Sequence, residues 1–193
     1  MERNNVMYRT MQSVLTTRDG ETNEAPVIEG YFAVFDSNYD MGYGMSESVA
    51  PGAFSETLSG DVRALIDHDT RLVLGRTTAH TLELREDSHG LWGKIYINPK
   101  DSEAMNLYER VKRGDVSQCS FGFEILSEET TFPADGEIHW RITKVKLYEV
   151  SCCTYPAYEE TGISARKKDR EQIEKRKSEA WKSALLKKLK GEK

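Results

Sequence analysis

A serine, a histidine and a glutamate stand out in this sequence because each lies in, or at the end of, a predicted strand and can take part in proton transfer. They are Ser120, His68 and Glu149. A serine hydroxyl attacks a carbonyl carbon when a base removes its proton, a third group orients that base, and donors face the developing oxyanion. These three residue types meet the first two requirements. Such groups come from different strands in any chain order, so their spacing is compatible with a triad without establishing one.

Ser120 lies in a stretch that has the period of a strand. Over residues 117–125 apolar side chains alternate with small or polar ones, which predicts one buried face. That face carries Cys119, Phe121, Phe123 and Ile125. Ser120 and Gly122 then share the opposite face, where a glycine leaves room for another backbone or a ligand. An ordinary strand serine is the alternative interpretation of Ser120.

His68 ends a strand predicted over Val62 to His68, whereas the other three histidines lie near turns or a polar loop. It serves either as a base or as a strand-end residue that hydrogen-bonds locally to Asp67 or Asp69. Both interpretations remain open at the level of sequence.

Glu149 falls on a predicted core face, because it shares the parity of Val145 and Leu147 in a strand predicted from Trp140 to Cys153. A carboxylate on such a face is unfavourable unless it is paired. A histidine is a natural partner. An arginine partner and exposure at the strand end are the alternatives.

Composition limits the class of protein. The 193 residues suffice for one well-buried domain with an appendage. Three cysteines, two of them adjacent, make a poor disulfide framework and favour a reducing compartment. No apolar run approaches the roughly 18 residues of a membrane span, and residues 1–5 lack the layout of a secretory signal. No zinc-like spacing and no phosphate-binding glycine loop is present in the sequence, so we expect neither metal nor cofactor.

Strand signals dominate as far as Pro156. A hairpin is predicted around Asp87 to Gly90, a short helix over Gly52 to Leu58, and a longer helix from Asp101 or Ser102 to Gly114. About seven to nine strands with inserted helices predict a mainly β, α+β fold, a barrel or sandwich rather than a doubly wound sheet.

Charge divides the chain in two. Residues 164–193 hold 12 Lys/Arg against 5 Asp/Glu, net +7, whereas residues 1–163 hold 15 against 27, net −12. From Lys167 onward the pattern predicts a basic helix with a narrow apolar stripe. The stripe consists of Trp181, Ala184, Leu185 and Leu189. We therefore predict a folded domain over residues 1–165 and a basic helical tail over 166–193, either flexible or partner-binding. A membrane-surface helix is not favoured.

Five blocks, in this order, resemble the prohead proteases of tailed phages, capsid-maturation serine proteases distantly similar to herpesvirus assemblin. The blocks are Gly30 to Asp36, Pro51 to Phe54, His68-Asp69 with Leu74 to Arg76, Ser120 to Phe123, and Glu149 to Ser151 with Pro156 to Tyr158. Each block is weak alone, but their ordered succession over roughly residues 28–161 is specific.

The resemblance implies a serine endopeptidase in which His68 is the general base, Ser120 the nucleophile and Glu149 the orienting acid. It also implies an assemblin-like β-barrel wrapped by a few helices. Herpesvirus proteases have a histidine in the third role, so Glu149 departs from that branch. Cys119 stands where a methionine or another apolar residue is expected.

Two rival functions remain. A cysteine hydrolase would use Cys119 with His68, although parity directs Cys119 toward the face of Phe121 and Phe123. The second rival is an inactive capsid- or scaffold-associated protein with the same fold.

The substrates implied by the resemblance are proteins. They are the scaffolding segment of the major capsid protein, or a separate scaffold, and the protease itself through autoproteolysis. Cleavage is expected inside the prohead, in the cytoplasm of the bacterial host. The predicted partners include neither nucleic acid nor membrane, and a homodimer is left open.

Overall fold

The computed structural model describes residues 6–12, 15–20, 25–134, 136–155 and 160–189. The strands of the described residues are β1 (Met7–Gln12), β2 (Thr16–Arg18), β3 (Val27–Val34), β4 (Tyr39–Gly42), β5 (Met45–Val49), β6 (Arg63–Ile66), β7 (Asp69–Arg76), β8 (Leu82–Glu86), β9 (Gly90–Tyr96), β10 (Gln118–Thr131) and β11 (Ile138–Cys153). The helices are α1 (Ser102–Arg113) and α2 (Glu160–Leu189), with a short 3-10 turn at Thr77–Ala79.

These strands form two hydrogen-bonded sheets. The larger runs in the order β1-β10-β11-β5-β4, with β6 pairing with β11 and β7 with β6, and the smaller runs β2-β3-β9-β8. Apolar side chains from both sheets and from α1 share one buried cluster. The predicted mainly β, α+β fold class is confirmed. Within the described residues the strands pair as two sheets, and their pairing does not define a closed barrel.

The β10–β11 hairpin forms the centre of the larger sheet. Cys119, Phe121 and Phe123 are fully buried on one face of β10, as their alternation predicts. The rings of Phe121 and Phe123 stack with centroids 4.8 Å apart, and Phe54 meets Phe121 edge-on at 5.4 Å. This aromatic packing fixes the register of β10, because a slip by one residue would turn the phenylalanines out of the core.

A β-bulge at Tyr148 changes the parity of β11. Gly122 lies opposite Glu149, but the next residue of β10, Phe123, lies opposite Leu147, so Tyr148 is the extra residue. Leu147 therefore stays on the core face while Glu149 turns to the opposite face of the hairpin. The prediction that Glu149 shares the core face with Leu147 is wrong, because a strict period of two does not continue through a bulge.

The helix and hairpin predictions had different outcomes. Asp101 caps α1 by accepting hydrogen bonds from two backbone amides, and Gly114 ends it in the left-handed region, as predicted. The hairpin of β8 and β9 is also confirmed. The short helix predicted over Gly52 to Leu58 is wrong. Gly52 has a φ of +85°, and the segment forms consecutive turns instead.

The chain divides into two compact units, Met1–Glu159 and Glu160–Lys193. The second unit is built on α2, where Trp181 and Leu186 are exposed. The predicted boundary between residues 165 and 166, and the role of the tail, stay predictions. None of the helices in the described ranges combines the length and apolarity needed to cross a membrane.

A buried ion pair joins β1 to β5. The guanidinium of Arg9 donates from Nε and Nη2 to the two carboxylate oxygens of Glu47, and both residues are more than nine-tenths buried. Two parallel bonds of this kind fix direction as well as distance. The pair thereby holds β1 in place beside β10.

We expect Arg9→Ala to destabilise the fold strongly, since it takes both guanidinium bonds from a buried carboxylate. Removing one partner of a buried pair costs about 3–5 kcal/mol. Lys144→Ala is the matched control, because Lys144 pairs with Glu56 on the surface at 2.6 Å, and such pairs are worth about 0–1 kcal/mol. Denaturant unfolding measures both variants. Equal losses for the two would contradict a structural role of the Arg9–Glu47 pair.

Candidate active site

His68 lies in a tight turn between β6 and β7, not within β6. Asp67 and His68 have φ values of +47° and +61°, a left-handed conformation that is uncommon for residues other than glycine. Backbone and side-chain hydrogen bonds tie the turn to the end of β11. The amide of Asp67 donates to Cys152 O (3.1 Å), the amide of His68 to Ser151 Oγ (3.3 Å), and the amide of Thr154 to Asp67 Oδ1 (2.8 Å). The turn thus presents the imidazole over β11.

His68 and Glu149 are in direct contact. His68 Nδ1 lies 2.7 Å from Glu149 Oε1, and the two side chains are only 16% and 9% exposed. Since a carboxylate accepts and does not donate, the contact places the proton of the neutral ring on Nδ1 and leaves Nε2 as the acceptor. This is the tautomer that a histidine base requires.

Ser120 lies on the same face of the hairpin as Glu149. It is fully buried and directly opposite Ser151 on β11. Its hydroxyl donates to the carbonyl of Arg9 on β1 (3.0 Å). In the described structure that hydroxyl is not hydrogen-bonded to His68. The fold therefore brings His68 and Glu149 into contact. It places Ser120 on the neighbouring strand, on the same face of the β10–β11 hairpin.

Three further side chains surround the His68–Glu149 pair. Ser151 donates its hydroxyl to Glu149 Oε2 and accepts the amide of His68. The thiol of Cys153 lies 3.8 Å from His68 Nε2. The ring of Tyr8 lies 4.3 Å from the imidazole, centroid to centroid, at 56°. Both carboxylate oxygens and both ring nitrogens of the pair therefore have partners.

The negative charge of Glu149 acts on its neighbours. Burial, followed by the nearby Glu149 carboxylate, raises the pKa of the Tyr8 hydroxyl. Burial also raises the pKa of the Cys153 thiol, with smaller contributions from Asp67, Cys152 and Glu149. Both groups are consequently neutral at neutral pH. The thiolate needed for a cysteine nucleophile is disfavoured at Cys153.

Cys119 points away from the site. It lies opposite Cys152 in the register of the hairpin, on the face that packs into the apolar core, and it is fully buried. Ser120 and His68 lie on the other face. The geometry gives Cys119 no access to the imidazole.

The sequence of this chain matches that of a known protease family. Residues 13–176 match the family model of the caudovirus prohead serine proteases. This chain belongs to that family. Its match to the prohead protease of Enterobacteria phage HK97 is 31% identical over 155 residues, which is 78% of this chain and 63% of that protein. The chain thus spans less than two thirds of the length of this curated relative.

A solved structure supports the fold of this family member. The bacteriophage T4 capsid assembly protease superposes with a TM-score of 0.52, covering 78% of this chain and 98% of that one. The sequence identity is 11%, so the likeness concerns the fold.

Sequence reasoning missed several residues of the site in this prohead protease family member. Ser151 shares the parity of Glu149, a signal that could have placed it beside the carboxylate. Tyr8 and Arg9 gave no such signal, because β1 reaches the site only through its pairing with β10. Gly122 was expected to leave room for a backbone or a ligand. It instead faces the Glu149 carboxylate.

If Glu149 has the orienting role predicted for it, we expect Gly122→Ala to reduce activity by about 10²-fold, since misplacing a catalytic group by about 1 Å has effects of this size. A Cβ atom at position 122 would overlap Glu149 Oε1 and lie 3.0 Å from Tyr8 Cε1. The carboxylate, whose Oε1 contacts His68 Nδ1, must then shift from its present position. Rates of substrate cleavage, with the melting temperature as the control for folding, measure the effect. An unchanged rate in a folded variant would show that the carboxylate position is unimportant.

Proposed function

We propose that this chain is a serine endopeptidase of phage capsid maturation, with Ser120 as nucleophile, His68 as general base and Glu149 as orienting acid. The observation that carries the proposal is the 2.7 Å contact of His68 with Glu149, on the hairpin face that also bears Ser120. Membership of a serine protease family supports the same class of reaction.

The proposed reaction uses the imidazole twice. Glu149 keeps a proton on Nδ1, so Nε2 accepts the hydroxyl proton of Ser120 as Oγ bonds to the peptide carbonyl carbon. The imidazolium then protonates the amide nitrogen as the C–N bond breaks, which releases the amine and leaves an acyl-serine. Water then attacks the carbonyl carbon of that ester while His68 Nε2 takes its proton. The imidazolium returns the proton to Ser120 Oγ as the C–Oγ bond breaks, which releases the new carboxyl terminus and restores the starting state.

Two contacts must exchange before the first step. The Ser120 hydroxyl has to leave the carbonyl of Arg9, and His68 Nε2 has to leave the thiol of Cys153. A hydrogen bond between neutral groups contributes only about 0.5–1.5 kcal/mol net, so binding of a substrate can offset the exchange. Catalytic hydrogen bonds are often long in substrate-free enzymes and shorten in the complex.

The proposed substrates are proteins of the immature shell. We infer cleavage of the scaffolding segment of the major capsid protein, or of a separate scaffold, and of the protease itself. The reaction would take place in the prohead, in the cytoplasm of the bacterial host. The name of the HK97 prohead protease supports the prohead as the place of cleavage. A homodimeric state is left open.

Co-expression with the capsid protein tests the proposed activity. Mass spectrometry of both chains should show a shortened capsid protein and define the cleaved bonds. In parallel, a fluorophosphonate should label Ser120. Label on Cys119 would support the cysteine hydrolase, and the absence of both label and cleavage would support an inactive capsid-associated protein.

We further propose that the basic tail, residues 166–193, docks the protease on acidic scaffold surfaces or is removed by self-cleavage. Its support is the net charge of +7 over residues 164–193, against −12 for the preceding residues. The exposure of Trp181 and Leu185 on α2 supports a binding role as well.

Truncation after Arg166 should leave the melting temperature and the peptidase activity unchanged while lowering incorporation into proheads. Attraction between exposed charges is screened over about 8 Å at physiological ionic strength, so incorporation of the full chain should fall as salt rises. Replacing Lys175, Arg176 and Lys177 with glutamine is the matched variant that keeps the helix length. Early melting or precipitation of the truncated chain would instead assign the tail to the fold.

A further inference from the structure

Ser151 is a fully buried polar residue that has no part in the reaction described above. It lies on β11 and contacts both Glu149 and His68, the two residues whose relative position the proposed reaction needs. Its hydroxyl donates to Glu149 Oε2, two residues earlier on the same face, and accepts the amide hydrogen of His68 at 3.3 Å. It also lies directly opposite Ser120 on β10. One hydroxyl therefore connects the Glu149 carboxylate to the His68 backbone.

We propose that Ser151 is a positioning residue that holds the Glu149 carboxylate and the His68 backbone in one fixed relation. The inference rests on the proposed roles of His68 and Glu149. It adds a residue that touches neither the substrate nor the transferred proton.

The hydrogen-bond inventory supports this role. A serine hydroxyl has one hydrogen to donate, and here it is given to Glu149 Oε2, which fixes the rotation of the hydroxyl and leaves its lone pairs for the His68 amide. Glu149 Oε1 is then free to face His68 Nδ1. The terminal torsion of a glutamate side chain is otherwise broad. Ser151 restricts that torsion from one side, and Gly122 provides the space on the other.

The hydrogen bond from the His68 amide to Ser151 supports the positioning role independently. Asp67 and His68 both adopt positive φ, which persists only where surrounding contacts impose it. Asp67 is held by the backbone of Cys152 and Thr154. The bond to Ser151 is the contact that fixes the amide of His68 itself. The backbone amide of His68 and the carboxylate of Glu149 are thus both hydrogen-bonded to the same atom, Ser151 Oγ.

The bonding of Ser151 differs from that of Ser120 on the neighbouring strand. Ser120 donates to a backbone carbonyl, the usual contact of a buried serine. Ser151 instead joins a side-chain carboxylate to the amide of a residue 83 positions earlier. A charge-assisted hydrogen bond to a carboxylate is roughly twice as strong as a neutral one. Alanine at this position would remove it without adding bulk.

The test uses Ser151→Ala, Ser151→Thr and a matched control in the full chain. Ser48→Ala is the control, because Ser48 is also a buried strand serine bonded to a histidine, at 2.9 Å from Nε2 of His139. The probe is a fluorophosphonate, whose reaction at Ser120 is followed as a limiting rate kinact and a half-saturation constant KI. Melting temperatures are measured for every variant.

We expect Ser151→Ala to lower kinact by about 10- to 100-fold with little change in KI. A loss of this size is typical when a side chain that supports an active-site residue through a hydrogen bond is removed. Ser151→Thr keeps the hydroxyl and should recover most of the rate, and Ser48→Ala should react as the parent does. An unchanged kinact in Ser151→Ala, or a loss explained by a smaller folded fraction, would overturn the inference.

A second readout does not depend on Ser120. Proton NMR detects the Nδ1 hydrogen of His68 as a downfield signal while it is held by Glu149. In Ser151→Ala this signal should broaden or exchange faster, and in Ser48→Ala it should not change. Failure of the fluorophosphonate to label the parent at Ser120 would argue against the proposed nucleophile. In that case an unaltered signal in Ser151→Ala would refute the positioning role, and a broadened one would sustain it.

Discussion

Ser120→Ala is expected to abolish processing of the capsid protein, with a rate loss on the order of 10⁴- to 10⁶-fold, as for removal of a serine nucleophile in general. The substitution takes away one hydroxyl whose bond is to the carbonyl of Arg9. The fold should therefore lose only about 0.5–1.5 kcal/mol. Mass spectrometry of the co-expressed capsid protein measures processing, and thermal unfolding measures the fold.

Cys119→Ala is the matched control for Ser120→Ala, because Cys119 precedes it on β10 and faces the core. This variant should be less stable but should still process the capsid protein. Normal processing by Ser120→Ala would remove Ser120 from the reaction. Loss of processing in a folded Cys119→Ala variant would revive the cysteine hydrolase.

Glu149→Gln is expected to fold and to lose activity by about 10³- to 10⁴-fold, comparable with an acid-to-amide change in other serine protease triads. The amide cannot stabilise the imidazolium. Moreover, the Ser151 hydroxyl donates toward the Oε2 position, which favours the amide oxygen there and directs the NH₂ group to His68 Nδ1. Nδ1 must then accept, so the ring proton moves to Nε2 and the base is blocked.

Two measurements together test the prediction for Glu149→Gln: the steady-state rate of cleavage and the downfield proton NMR signal of His68 Nδ1. Glu124→Gln is the control, because Glu124 accepts a hydrogen bond from the Tyr148 hydroxyl at 2.9 Å but does not contact His68. His68→Ala should match Ser120→Ala, since residues that act as a unit fail together. A Glu149→Gln variant as active as the parent would mean that another group orients His68.

The segments that carry the candidate residues could be predicted because their local patterns are strong. The alternation around Ser120 predicted a buried aromatic face, and β10 has it. The cap at Asp101 and the stop at Gly114 predicted α1. Patterns of this kind depend on neighbours a few residues apart, so one sequence is enough to reveal them.

The sequence by itself determined the α+β class, the family resemblance and the choice of Ser120, His68 and Glu149 as candidates. Only the tertiary structure decided which face Glu149 occupies, because the bulge at Tyr148 arises from pairing between β10 and β11. The contact of His68 with Glu149 joins residues 81 positions apart, and that of Ser120 with Arg9 joins residues 111 apart. Contacts at such separations depend on strand order and register, which local alternation does not encode.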